Sequence, residues 1–535
     1  MEKPWRKSKF GGLFRFDVPV TEYELLETER GEPGLFRTSE PEHTSEKQPE
    51  EQAVSGSIAE NRVRIERAFH TRINPDIIFR PFPLRPDVPA LAVFVNGMAD
   101  SDQINEFILK PAQNNRRGRA EGEPLADYAA LRVFLMQEVE LSDRFDTDLS
   151  AILEGRTAVF LEGETRAVLM DTRGFASRGV GTTEQETVVL GPREAFTENL
   201  RTNVTLLRRI IKLDDFVCEF RASGGKNNTR VVVAYLYGVA NAGLVSEVKR
   251  RLATIDKTAI ISSGLVEQLI ETHPYSPLPT VLSTERPDRA AAHIMNGFVA
   301  LLVEGSPIAM ILPTTLFLLM SSAQDTYMRQ PIGTVVRLAR YVGAFLATVM
   351  PGYFVALAQH HQGMLSSEVL STVVASRSMV FMPLPLEMLF LLLAFQLVRE
   401  AGLSVPGVLG QSIGIIGGLL MGQAAVSANI CSSVVLIIVA LSGIGMFTIT
   451  DYSAKLAVSY FRVALLLAGW LGRLLGLTVA LFLSILWLAG LKSYGVPFLS
   501  PVSPKTNSKG PAGLRGRIRS KTRLTDFANT RRASI

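Results

Sequence analysis

Gly407 to Thr450 reads GVLGQSIGIIGGLLMGQAAVSANICSSVVLIIVALSGIGMFTIT, a run without one charged side chain. One helix crosses a bilayer core with about 20 apolar residues, so the run has the length of a hairpin of two transmembrane helices, with the turn expected near Asn429. Gly410, Gly414, Gly418 and Gly422 follow at intervals of four and line one face of the first helix as a smooth stripe. Gln411, Ser412, Gln423 and Ser427 share that helix, and each needs a partner in hydrocarbon. The stripe has two readings. Small residues at this spacing commonly serve close helix packing, whereas the polar set beside them suits a pore or a moving interface. On either reading the helix is expected inside an assembly.

Outward from this run the composition divides the chain. With 535 residues, 47% of them hydrophobic, and a mean hydropathy of +0.20, the chain is too apolar for an ordinary soluble protein of its size. Charged residues occur at soluble density up to about Arg340 and are sparse from Tyr341 to Gly490. A soluble half therefore precedes a membrane half. Two cysteines, Cys218 and Cys431, fall in different halves, which speaks against a disulfide framework or a thiolate metal site. The basic start MEKPWRKSKF is followed by no apolar stretch of signal-peptide length, so the soluble half is expected in the cytoplasm. No nucleic-acid partner is expected.

Residues 1–60 read as a disordered acidic tether, with eleven Glu against three Lys or Arg between Glu22 and Glu60. From Asn61 to Ser322 the pattern is α/β and duplicated. LAVFVNG from Leu91 leads to a helix capped by Asp100, and VVAYLYG from Val232 leads to one capped by Asn241. GRTAVFLEGETRAVLM from Gly155 and GFVALLVEGSPIAMIL from Gly297 both read as hairpins turning at Glu162-Gly163 and Glu304-Gly305. Gly97 and Gly238 are 141 residues apart, and Gly155 and Gly297 are 142 apart. Two related subdomains follow, 61–200 and 201–322. The duplication also makes Glu304 a turn residue rather than a charge inside a span from Phe298 to Met320, and Glu162 and Glu304 are structural rather than a catalytic pair.

No nucleophile, base and cofactor set emerges, so neither enzyme chemistry nor a cofactor or metal site is expected. Gly224-Gly225 in RASGGKNNTR lacks the spacing of a nucleotide loop and reads as a surface turn. Arg201, Arg208, Arg209 and Lys212 read as a solvated helix face between the subdomains. The proline-rich HPYSPLPTVLSTERPD reads as a rigid, extended connection.

The helical membrane domain, 323–499, is expected to hold four or five helices. Arg337 and Arg340 precede a first span near Tyr341 to Ala358 and favour a cytoplasmic start. His360-His361 reads as an exposed loop. The next apolar stretch, Met379 to Val398, opens on Pro383 and Pro385, which are expected to break the backbone at membrane depth. Glu387 just inside is either a functional ionisable group or a carboxylate at headgroup level. Arg473 interrupts the last run, Val463 to Leu491, and is expected to snorkel or pair. The tail, 500–535, carries nine Lys or Arg against Asp526 and is expected in the cytoplasm. Five spans would put it outside. Either one apolar stretch does not cross, the proline-broken stretch at 379–398 being the first suspect for a re-entrant or interfacial element and the run from 463 the second, or the tail breaks the positive-inside bias.

In the order RPDVPALAVFVNGMADSDQINEFILKP, GRTAVFLEG, GPREAFTENLRTNVTLLRR, VEGSPIAMILP, PLPLE, IGGLLMGQAAVSA and YGVPFLSPVSP, the chain resembles the A subunits of GerA-type spore germinant receptors over nearly all of 61–504. It departs from them at Phe298, where Arg is common, and around Asp325 to Arg329. The resemblance implies a non-enzymatic subunit in the inner membrane of a dormant spore, working with a transporter-like B subunit that binds the nutrient and a lipoprotein C subunit. It further implies a ring, of the size of a pentamer, whose helices form a channel for monovalent cations. On that implication Glu387 is a candidate for cation attraction, and Glu387→Gln is expected to reduce flux without loss of assembly. A secondary transporter with broken helices, a sensory enzyme and a related germination-stage homologue outside the receptor are the competing classes.

Overall fold

The structure is a computed structural model that describes residues 53–500 and 502, apart from 85–87, 116–121, 175–180, four positions between 182 and 187, 225–226, 256–259 and 405–407. Residues 1–52 of the tether and 503–535 of the tail lie outside the described residues.

The soluble half is built from one arrangement used twice. In the first unit, helix α1 (Ile58–Ala68) precedes strands β1 (Ile77–Leu84), β2 (Val88–Val95), β3 (Val139–Ser142), β4 (Thr157–Leu161) and β5 (Ala167–Met170), with a helix over 101–114 (α2) and α3 (Phe145–Leu153) between them. The sheet runs β1-β2-β4-β5-β3, antiparallel at every pairing. In the second unit α4 (Leu200–Ile210) precedes β6 (Phe216–Ser223), β7 (Thr229–Leu236), β8 (Leu282–Thr284), β9 (Val299–Val303) and β10 (Ala309–Leu312), with α5 (Ala242–Ala253), α6 (Ser263–Ile270) and α7 (Pro287–Ile294) between them. Its order, β6-β7-β9-β10-β8, is the same element for element and again antiparallel.

The landmarks coincide. Asp100 and Asn241 each accept from two amides of the helix they cap, and Gly163 and Gly305 adopt φ of +81° and +79° in the two hairpin turns, a region open to glycine. A third repeat lies in α1 and α4. The Asn61 side chain pairs with the amide and carbonyl of Ser55 at 3.0 and 2.6 Å, and Asn203 does the same to Thr197 at 2.7 and 2.6 Å. Each unit thus begins earlier than 61 and 201: α4 opens the second unit, and α1 with the segment from Ala53 belongs to the first unit rather than to the tether. The charged sequence IAENRVRIERA hides α1, since it buries only Asn61 and Ile65.

Strands β4 and β9 are buried at every position, because both faces of each sheet are covered. Alternate side chains point to opposite faces, so Ala158 and Phe160 enter one core while Val159 and Leu161 enter the other. This makes the Phe298 to Met320 stretch apolar without making it a span. On α3, Asp148 is fully buried with both oxygens unpartnered, and burial pushes its carboxyl from 3.8 up to about 7. A carboxyl raised on folding imposes no penalty below pH 3.8, and the penalty grows as pH rises towards 7. Asp148→Asn is therefore expected to gain stability relative to the wild-type chain by about 1.4 kcal/mol per pH unit across that window. Denaturation midpoints from pH 4 to 8 check this; a pH-independent difference would refute it.

The helical half comprises α8 (Gln330–His360), α9 (Ser367–Arg377), α10 (Leu384–Ser404), α11 (Val408–Ser427), α12 (Ser433–Phe447) and α13 (Tyr452–Gly490). Two stretches, Ile332–His360 and Tyr452–Gly490, are long and apolar enough to cross a membrane. The second is not one rod. Arg473 takes φ 57°, ψ −152°, and the rings of Phe461 and Trp487 lie 5.6 Å apart, where a straight helix would hold them about 39 Å apart. Helix α13 is therefore an antiparallel hairpin turning at Arg473. Its two limbs pack with α8, α10, α11 and α12 in the helical half. The second suspect is the stretch that folds back, and no proline marks the break.

The ends of these segments gather in two clusters. Phe354, Leu384, Cys431 and Leu466 pack together at the far end, and Ala347, Met446, Ala454 and Leu491 pack against the second α/β unit at the near end. The chain thus leaves its last helix on the side from which it entered the first. Pro383 and Pro385 do not break a helix; they start α10, where a missing N–H leaves no acceptor wanting.

Candidate functional site

The near end is where a change in the α/β units would reach the helices, and its contacts come from distant stretches. The short hairpin β11 (Lys492–Ser493) and β12 (Val496–Pro497) returns to the second unit. Ser493 Oγ donates to the Thr280 carbonyl at 2.7 Å and accepts from the Thr314 amide at 2.9 Å. Tyr494 donates to the Ile270 carbonyl at 3.0 Å beneath the Arg251 guanidinium, and the Phe498 carbonyl accepts from Leu316 at 2.9 Å. The Gly407 to Thr450 run also ends here, with Thr450 donating to the Leu319 carbonyl at 2.8 Å.

Asp325 completes the joint. It accepts from Arg340 at 2.8 and 3.1 Å and from Arg337 at 3.2 Å. Burial works to raise its carboxyl, but hydrogen bonds and charge from Arg340 hold it below the usual range. Arg337 and Arg340 thus hold the root of α8 to the second unit rather than standing free before a span.

At the far end Glu387 is fully buried. Oε1 accepts from the Ser432 amide at 2.6 Å and its hydroxyl at 2.7 Å, and Oε2 from Arg377 Nε at 3.4 Å. The carboxylate joins the starts of α10 and α12 to the end of α9. Glu387→Gln is expected to lower the thermal midpoint by loosening this joint, because it leaves Arg377 without its only ion pair among the described residues. An unchanged midpoint in detergent would refute the role. His360, expected in a loop, ends α8 and meets the Trp470 carbonyl at 3.0 Å. Arg473 is exposed at the α13 turn.

Within the glycine stripe, Gly418 and Gly422 are not where helices meet most closely. A side chain at Gly418 would meet Phe395 at 3.6 Å and one at Gly422 would meet Leu436 at 3.3 Å, both ordinary or yielding side-chain contacts. Gln423 is exposed in the single chain, and the surroundings of Gly410, Gly414, Gln411 and Ser412 lie outside what the structure describes. The close contacts use glycines that no spacing singled out. A Cβ at Gly352 would stand 2.5 Å from the Leu465 carbonyl oxygen, and one at Gly469 would stand 2.5 Å from the Gly352 oxygen. Gly445 presses likewise on the backbone of Gly343.

Between the two α/β units a cleft of about 640 Å³ is lined by Asn96 and Asp100 from the first unit and by Arg201, Arg209, Arg230 and Glu304 from the second. Below it Arg208, expected on a solvated face, is buried. It donates to Asp76 at 2.5 and 3.0 Å and to the Asn74 side chain at 3.1 Å. Asp76 lies in an unremarkable loop of the first unit, so only the fold reveals the pair. Among the described residues no group of His, Cys, Asp and Glu is placed to hold a metal ion.

Comparison with known proteins covers both halves. The family described as Bacillus/Clostridium GerA spore germination protein matches residues 64–524. Spore germination protein KA of Bacillus subtilis is 30% identical over 458 residues, 84% of this chain and 82% of that one. Spore germination protein GerLA of Bacillus cereus is 31% identical over 413 residues, 77% of this chain and 83% of that one. The crystal structure of the N-terminal domain of the A subunit of the Bacillus megaterium spore germinant receptor GerK3 is 26% identical, covers 48% of this chain and 95% of that chain, and has a TM-score of 0.37. With the family match running from α1 through the helical half and into the tail, the chain belongs to the GerA family of spore germination proteins.

Proposed function

We propose that this chain is the A subunit of a nutrient germinant receptor in the spore inner membrane, and that it turns germinant binding into release of monovalent cations. The observation that carries the reading is the near-end joint. The root of α8, the end of α12 and the strands after α13 all bond to the second α/β unit, so a shift of that unit would be felt at three helices together. Six crossings would place the α/β units and the basic tail on one side, in keeping with the positive-inside bias. The B and C subunits would be its partners, and copies of the chain would form a pentamer-sized ring around a cation path. Germinant binding in the partner would then favour one of two packings of that ring.

The test is potassium release from spores carrying this chain with its two partner subunits, triggered by each of a panel of nutrients. Deleting the chain is expected to abolish release to at least one nutrient while leaving release to an agent that bypasses receptors. Undiminished release to every nutrient would refute the receptor assignment and favour a later-acting homologue.

A further inference from the structure

Arg399 near the end of α10 and Arg462 on the first limb of α13 gather around Ser442 and Met446 of α12, with Lys455 one turn before Ser459, whose hydroxyl lies 3.9 Å from the Met446 sulfur. Arg399 Nη1 reaches the Met446 sulfur at 3.2 Å, and Arg462 Nη1 reaches Ser442 Oγ at 3.4 Å. Ser442 spends its own proton on the Ala347 carbonyl at 2.8 Å. Lys455, Ser459 and Arg462 fall four and three residues apart and share a helix face. Arg462 is only 5% exposed. Its Nε, and the Nε and Nη2 of Arg399, are buried without a hydrogen-bond partner. No ion pair joins any of the three cations to a carboxylate among the described residues. The nearby Asp451 carboxylate is committed to the Ala454 amide at the start of α13, at 2.8 Å.

Two arginines with unused buried donors, beside a lysine, and no ion pair to a carboxylate among the described residues form a site that lacks its anion, since buried charge is retained where it is paired. The surroundings say which anion fits. The cluster lies at the end of the helices nearest the α/β units, and its flanks carry exposed apolar side chains: Leu393 and Leu397 on α10, Ile444 and Phe447 on α12, and Tyr460 on α13. An apolar wall below, an exposed tyrosine and a basic pocket between helices are the elements that hold an anionic lipid. We infer that Arg399, Lys455 and Arg462 bind the phosphate headgroup of an anionic phospholipid, its acyl chains lying along α10 and α12, and that this lipid fastens α10 to α13.

The inference rests on the helical half lying in a bilayer, which co-flotation of the full chain with neutral phosphatidylcholine vesicles reads separately. The full chain in detergent is then titrated with phosphatidylglycerol, phosphatidylcholine or inorganic phosphate, and its thermal midpoint and retained lipid are read by melting and native mass spectrometry. Phosphatidylglycerol alone is expected to raise the midpoint and remain bound. Arg462→Gln with Arg399→Gln is expected to lose at least tenfold in apparent affinity for it, and Lys455→Gln, at the edge of the cluster, to lose less while remaining folded. Equal response to both lipids, a full response to inorganic phosphate alone, or undiminished retention in Lys455→Gln together with the double variant would overturn the assignment. So would protection of the cluster by a neighbouring chain's carboxylate, seen as a response to protein concentration in place of lipid.

Discussion

Gly352→Ala and Gly469→Ala are each expected to destabilise the helical half by about 1–3 kcal/mol, the range found for overpacked sites. Gly418→Ala is expected to be neutral or slightly stabilising. In a helix interior alanine is favoured over glycine by about 1 kcal/mol, so a loss at Gly352 must be steric. The contact there is backbone against backbone: the added carbon would lie 2.5 Å from the Leu465 oxygen and 2.8 Å from its carbonyl carbon. No side chain can rotate away, and α8 must separate from α13. At Gly418 the neighbour is one edge atom of Phe395 at 3.6 Å, an ordinary van der Waals distance. Midpoints of the three full-length variants in one detergent decide the matter, and equal values would show that these contacts are looser than described. Because α8 carries Arg340 at its root, the two damaging variants are also expected to lose germinant-triggered potassium release at normal protein level.

Arg208→Ala is expected to cost about 3–5 kcal/mol, the range for breaking a buried ion pair by removing one partner. Asp76 is 4% exposed and Arg208 1% exposed, so the carboxylate left behind has little access to water. The pair holds the second unit's opening helix to a loop of the first, supported by Asn74, whose amide also reaches the Phe216 carbonyl at 3.3 Å. Arg208→Met with Asp76→Asn is expected to recover much of the loss, because burial of an unpaired charge dominates the single variant. A double variant as unstable as the sum of the singles would mean that the two side chains act independently. In the receptor reading, the single variant frees the first unit while leaving the near-end joint intact, so nutrient response is expected to fall before the helical half unfolds.

Periodic and covalently local features were legible before the fold was known. The hairpins at Glu162-Gly163 and Glu304-Gly305, the caps Asp100 and Asn241 and the offset between them depend on residues a few positions apart, and local sterics and hydrogen bonding choose their conformation. The Asn429 turn between α11 and α12 follows from the apolar pattern in the same way, with Asn429 at φ 53°. The early start of each unit was not legible. Asn61 and Asn203 act by clamping a backbone six residues away, and α1 shows almost no apolar face.

Other errors share one cause, namely that burial and pairing are set by what arrives from elsewhere in the chain. Arg208 looked like a surface cation until Asp76, 132 positions away, came beside it. The partner of Glu387 was equally illegible, since Ser432, which donates to it twice, lies 45 positions away. Hydropathy cannot register the break at Arg473, because both limbs of α13 are apolar and the reversal lies in one residue's backbone angles.

By itself, then, the sequence determined the duplicated α/β units, the division into a charged half and an apolar half, and the resemblance that the family match upholds. These rest on local periodicity and on order along the chain. The tertiary structure alone decided that the last apolar run folds back, that the chain returns through Ser493 and Tyr494 to the second unit, and that Gly352 and Gly469 bring the backbones of α8 and α13 together. The last two are meetings between stretches more than a hundred residues apart, and the fold-back lies in the backbone angles of Arg473 and brings together rings 26 residues apart; short-range propensities carry no information about such meetings.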